Sequence, residues 1–102
     1  MVRRIIRSPE SKRDYWEIYS YIAQDNPSVA GELLRSFDKK LGDVLNLPEM
    51  GEFRPELGNG IRTLKSGRYI IFYRAVSDDI QLVRVIHGAR DIPRIFSAMK
   101  KQ

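Results

Sequence analysis

The tightest constraint on this chain is a pair of β-branched, aromatic-rich runs, Tyr69-Ile70-Ile71-Phe72-Tyr73-Arg74 and Ile80-Gln81-Leu82-Val83-Arg84-Val85-Ile86. A polar Ser77-Asp78-Asp79 segment lies between them, so they read as the two strands of an antiparallel hairpin. Alternation places Tyr69, Ile71, Tyr73 and Ala75 on one face of the first strand, with Ile70, Phe72 and Arg74 on the other. On the second strand, Leu82 and Ile86 oppose Val83 and Val85. Both faces are therefore apolar, whereas a sheet covered by helices on one side only should alternate more cleanly. The second face needs a cover, supplied by a C-terminal helix, a partner chain, or both.

The flanking segments supply the rest of the fold. Arg3 to Arg7 is a short strand candidate. Ser8-Pro9 opens a helix, with Ser8 as N-cap and Pro9 in the first turn, and Tyr15, Ile18, Tyr19 and Ile22 form its apolar stripe. Asp25-Asn26-Pro27 ends that helix and starts a second, capped by Asn26 or Ser28. The second helix carries Ala30, Leu33, Leu34, Phe37, Leu41, Val44 and Leu45 and stops before Pro48. So short a connection makes the two helices an antiparallel hairpin. Residues 51–60 read as a loop, Ile61 to Lys65 as a strand, and Ser66-Gly67 as a turn. Asp91-Ile92-Pro93 opens a final short helix containing Ile95, Phe96 and Met99. The order β-α-α-β-β-β-α predicts a single α+β domain over residues 1–102, with the helical hairpin packed on a small, mainly antiparallel sheet.

Charge limits the partners. Residues 1–51 hold eight Lys/Arg and eight Asp/Glu, whereas residues 52–102 hold ten against five and supply the whole net charge of +5. A basic C-terminal half calls for an acidic partner, either nucleic acid or an acidic protein segment; the plainer alternative is a solvated basic face. The chain has no cysteine, which removes disulfides and thiolate metal sites and fits the cytoplasm. It has no apolar run of about eighteen residues to span a membrane. The basic start Arg3-Arg4 leads into only two isoleucines, so no secretion signal is expected.

Catalytic groups are scarce. His87 is the only histidine; with Asp91 it could form a base, but a structural role at the strand end is the simpler reading. There is no phosphate-binding glycine loop, since Gly58-Asn59-Gly60 lacks the flanking strand and helix. No cofactor is expected. The basic set Arg62, Lys65, Arg68, Arg74, Arg84 and Arg90 could neutralise phosphates. Trp16 lies about 100° round the first helix from Tyr15, on the flank of its stripe. The apolar arc of the second helix, from Val29 to Leu45, spans roughly 160°, wider than one sheet contact needs. Excess apolar flank on both helices suits a partner's amphipathic helix; extra core is the alternative.

The wording of Gly67 to Arg74 and of Val83 to Asp91 resembles the ParE branch of the RelE/ParE toxins. Glu17 to Ala23, Asn26-Pro27, Leu47 to Gly51 and Gly60-Ile61-Arg62 extend the likeness to about residues 5 to 96. The resemblance implies the toxin of a bacterial, cytoplasmic type II toxin–antitoxin pair, with no catalytic centre of its own. It implies DNA gyrase as target, trapped in its DNA-cleavage complex. It also implies a ParD-like antitoxin with a ribbon-helix-helix N-terminus and an acidic, disordered C-terminal segment. The two would form a hetero-oligomer, a heterotetramer or larger, that meets operator DNA only through the antitoxin. Antitoxin contacts are expected at Trp16, Tyr19, Leu34, Phe37, Arg68, Arg74 and Arg84, and target contacts at Arg90, Arg94, Lys100 and Lys101. The alternatives are a RelE-like ribosome-dependent mRNA endonuclease and a stand-alone basic nucleic-acid-binding module. Against the endonuclease, Ile70 stands where that branch carries an arginine, and Ile61 and Thr63 stand where it carries paired lysines. Phe96 lies near the place of its tyrosine, and Arg90 alone matches a basic position.

Overall fold

A computed structural model describes residues 3–100. The chain runs β1 (Ile5–Arg7), α1 (Pro9–Ala23), α2 (Pro27–Asn46), β2 (Glu52–Phe53), β3 (Arg62–Ser66), β4 (Tyr69–Val76), β5 (Asp79–His87) and α3 (Ile92–Lys100). Single turns of 3-10 helix, Pro48–Met50 and Pro55–Leu57, flank β2. The expected α+β architecture is present, with one addition: the segment read as a loop contains β2, which pairs with Thr63 and Arg62 of β3. The sheet order is β1-β5-β4-β3-β2; β1 is parallel to β5 and every other pair is antiparallel. Among the described residues no helix is long and apolar enough to cross a membrane.

Helix boundaries follow the local chemistry. The Ser8 hydroxyl accepts from Ser11 N–H at 3.0 Å and Asn26 Oδ1 accepts from Val29 N–H at 3.2 Å, each followed by Pro in the first turn. The hairpin turns are one residue tighter, or shifted, relative to the sequence reading. Gly67-Arg68 joins β3 to β4, with Gly67 in the left-handed region at φ 61°, where glycine bears no Cβ clash. Ser77-Asp78 joins β4 to β5, and Asp79 already pairs with Val76.

The faces of β5 depart from simple alternation. Phe72 pairs with Arg84 but Tyr73 pairs with Leu82, so Val83 is an extra residue in a β-bulge. The bulge shifts the phase by one. Leu82 and Val85 join Ile71, Phe37 and Leu41 under the helical hairpin, while Val83 and Ile86 join Phe72 on the opposite face. The expected Leu82/Ile86 and Val83/Val85 partition is thus corrected. The second face is covered by α3, whose Phe96 is 4% exposed and whose Ile92, Ile95 and Met99 pack beside Leu57 and Ile61. The Phe96 and Phe72 rings lie 4.8 Å apart.

The outer edge of β5 is closed in three steps. β1 covers Ile80 to Leu82. Ser8 then donates its N–H to Leu82 O (3.0 Å) and its hydroxyl to Val83 O (2.7 Å). Finally Asp14 Oδ2 on α1 accepts the Val85 N–H at 2.9 Å. Ser8, which caps α1, and Asp14 thereby do for the end of β5 what a longer neighbouring strand would do.

Candidate functional site

One apolar stripe runs along α1, with exposed aromatics on its flanks. Tyr15, Ile18 and Ile22 point inward, and the Tyr15 ring packs 5.7 Å from that of Phe37. Tyr19 lies at the edge of this stripe, about 40° round the helix from Tyr15 and about 60° from Trp16 on the flank. Trp16 is 69% exposed and Tyr19 half-buried. Tyr21, which the sequence reading passed over, is 74% exposed at the rim of the inward stripe beyond Ile18. It lines a cleft of about 250 Å³ with Glu17, Tyr69, His87 and Arg90. Tyr and Trp are enriched among the residues that anchor protein interfaces.

The remaining residues expected to meet the antitoxin divide sharply. Leu34 is half-buried against the helix–sheet core. Phe37 is 0% exposed and packs between the Tyr15 and Tyr69 rings. Its place in the partner-binding set is corrected: the wide arc of α2 is spent on the sheet, and Phe37 is core. Arg68 is exposed at the β3–β4 turn. Arg74 lies on the α3 side of the sheet, its Nε bonded to Gln81 Oε1 at 2.8 Å, and roughly 20 Å from Arg68 by strand rise. Arg84 is held by Asp14, with Nε to Oδ2 at 2.7 Å and Nη2 to Oδ1 at 2.9 Å. Hydrogen bonding to Asp14 raises the Arg84 pKa above its ordinary value. The three arginines read as one set along the sequence occupy three separate places, and Arg84 is structural.

Arg90, Arg94 and Lys100 are exposed on α3 and its approach, while Lys101 lies outside the described residues. His87 and Asp91 do not act together. His87 Nδ1 accepts from Ala89 N–H at 3.0 Å, and the ring sits edge-on to Tyr69 at 5.2 Å. Asp91 Oδ1 accepts from Arg94 N–H at 3.3 Å and starts α3. Among the described residues no group of three His, Cys, Asp or Glu could hold a metal ion.

On the α3 side of the sheet, a cleft of about 480 Å³ is floored by Thr63, Ile70 and Phe72 and rimmed by Lys65, Arg54 and Arg90. Three of the positions that matter for the endonuclease alternative line it: Ile70, Thr63 and Arg90. Ile61 and Phe96 are 2% and 4% exposed, inside the neighbouring core. The floor carries no acid, base or cation.

The family model described as ParE toxin of type II toxin–antitoxin system, parDE, matches residues 5–92. The chain belongs to the ParE toxin family. A solved chain of the chromosomal ParDE system of P. aeruginosa superposes with a TM-score of 0.70 at 19% identity. That superposition covers 84% of this chain and 96% of the other. The isolated E. coli RelE toxin superposes with a TM-score of 0.61 at 14% identity, over 97% of this chain and 96% of that one. At these identities the likenesses establish a shared fold. No curated protein sequence matches the chain. Among the surfaces the core leaves exposed are the aromatic side chains Trp16 and Tyr21 of α1 and the basic residues Arg90, Arg94 and Lys100 on α3 and its approach.

Proposed function

We propose that this ParE-family protein arrests bacterial growth by binding DNA gyrase and stabilising its DNA-cleavage complex. On this reading a ParD-like antitoxin neutralises it by laying an amphipathic helix along α1. The observation that carries the proposal is the family match over residues 5–92 on a chain whose most exposed large hydrophobic side chains, Trp16 and Tyr21, sit on one helix. Trp16 and Tyr19 then anchor the antitoxin, and Arg68 meets acidic residues in its segment; Arg90, Arg94 and Lys100 face the target. The action is binding, without covalent chemistry by the toxin itself, in the cytoplasm.

Induced expression tests this directly. The chain alone should slow growth, with filamentation and a DNA-damage response, and co-expression of its genomic neighbour should restore growth. Normal growth at a high level of soluble protein would overturn it. The second reading, ribosome-dependent mRNA cleavage, is favoured by one observation, the cleft rimmed by Lys65, Arg54 and Arg90. A general acid or base must reach the reacting group, and Ile70, Thr63 and Phe96 offer no titratable group where that reading requires one. Codon-linked transcript cuts that vanish in Arg90→Ala would establish it in place of gyrase binding.

A further inference from the structure

The outer edge of the sheet at β2 is open, short and self-complementary. Arg54 donates its N–H inward to Ile61 O at 2.8 Å. Alternation therefore turns the N–H and C=O of Phe53 outward, away from β3. Phe53 is 54% exposed, and its ring stacks beside the Arg62 guanidinium, whose carbon lies 5.2 Å from the ring centroid. Leu47 and Met50, on the segment leading into the strand, are 55% and 39% exposed. Glu52 and Arg54 point to the other face, where both line the cleft of about 480 Å³.

An unprotected edge strand with an apolar side chain is a template for pairing with another chain. The order Glu52-Phe53-Arg54 says which chain. Run antiparallel to itself about Phe53, this tripeptide places Glu52 opposite Arg54 of the second copy, Phe53 opposite Phe53, and Arg54 opposite Glu52. Every opposed pair is favourable: two ion pairs flank an aromatic pair, and the two Phe53 residues exchange both backbone hydrogen bonds. A strand of unlike sequence would have to match this charge order; a second copy does so by symmetry. The existing partner of Arg54, Glu56, is an exposed neighbour, and an exposed ion pair of this kind is weak enough to be exchanged.

We propose that two copies of this chain associate through antiparallel β2–β2 pairing centred on Phe53, giving a continuous ten-strand sheet built from two five-stranded ones. The two-fold axis is perpendicular to the sheet. It joins the Phe53 side chains on the helix side and brings the two clefts together on the α3 side. With only a two-residue strand on each side, the dimer is weak and concentration-dependent.

Sedimentation velocity on the purified chain, from low micromolar to near-millimolar concentration, tests this. Wild type should shift reversibly from monomer to dimer. Phe53→Glu should abolish the shift. Glu52→Arg alone and Arg54→Glu alone each set like charges opposite one another and should weaken the dimer several-fold or more. The double variant Glu52→Arg/Arg54→Glu restores opposite charges across the axis and should restore the dimer. Circular dichroism on each variant confirms the fold. A chain that stays monomeric throughout overturns the proposal and leaves the edge to a different protein. So does a dimer that ignores Phe53→Glu, or single reversals that the double variant fails to rescue.

Discussion

Asp14 on α1 and Arg84 on β5 form a two-point ion pair, at 2.7 and 2.9 Å, and the same carboxylate accepts the Val85 backbone N–H at 2.9 Å. The side chains are 7% and 18% exposed. Asp14 thus completes the closure of the sheet edge beyond Ser8 and neutralises an arginine in the crevice where Arg84 Nη1 also reaches Met99 Sδ of α3. Removing a single partner leaves the other charge buried without compensation. Asp14→Ala should cost about 3–5 kcal/mol in urea unfolding. Replacing both, as Asp14→Leu/Arg84→Met, should cost clearly less than the two single changes added together. Additive losses would show that the pair is not coupled.

Tyr73 makes a second tie that is specific to its hydroxyl. The side chain is 1% exposed, and its oxygen donates to Pro48 O and accepts from Gly51 N–H, each at 2.8 Å. A Cβ at Gly51 would lie 2.6 Å from that oxygen. Tyr73→Phe should lower stability by about 1–3 kcal/mol, because the buried Gly51 N–H and the partly buried Pro48 carbonyl lose their partner. Gly51→Ala should also destabilise in wild type, and less so in the Tyr73→Phe background, where the oxygen is gone. Thermal unfolding of the four proteins is the check.

Alkaline pH should destabilise the chain in a defined window. Burial raises the Tyr15 phenol from 10.0 to about 12, against the opposing hydrogen bond with Arg7 and with support from Asp38. Its hydroxyl donates to Asp38 Oδ1 at 2.9 Å, and Arg7 bonds the same oxygen. Because the folded pKa lies above the unfolded one, this stabilisation is fully present below pH 10 and disappears as pH rises toward 12. Burial also raises Tyr69 and Tyr73, in the same sense. Unfolding free energy measured from neutral pH upward should fall across that window, with a smaller fall in Tyr15→Phe. An unchanged slope in the variant would contradict the assignment.

Trp16 separates binding from folding. At 69% exposure its loss leaves the core intact, so Trp16→Ala should unfold at nearly the wild-type temperature. Antitoxin binding should weaken by roughly 1–3 kcal/mol, expressed mainly as faster dissociation. Surface plasmon resonance against the cognate antitoxin reads both rates. Phe37→Ala should instead cost about 3–5 kcal/mol of stability, as for a fully buried aromatic.

The parts of this fold that depend on local chemistry were legible in the sequence. Ser8-Pro9 and Asn26-Pro27 mark both helix starts, and the hairpin over 69–87 follows from its β-branched runs. What was hidden depends on tertiary pairing. Apolar residues occupy both faces from Ile80 to Ile86, so nothing local shows that Val83 is the bulge that reverses the faces of Val85 and Ile86. The two-residue strand β2 is too short for a periodic signal and exists because β3 supplies its partners. Phe37 looked available because the arc of α2 is wide, yet a broad sheet with Tyr69 and Ile71 beneath it consumes that arc. Arg84 and Asp14 lie seventy residues apart, and their pairing is written only in the docking of α1 on β5.

The central claim, that this ParE-family chain acts by trapping gyrase, is tested most directly by incubating the purified protein with gyrase and supercoiled plasmid. The account predicts linear DNA, released by detergent and protease, that increases with toxin concentration and is suppressed by the antitoxin. Unchanged plasmid at saturating, folded toxin, alongside cleavage of mRNA on ribosomes by the same preparation, would contradict it.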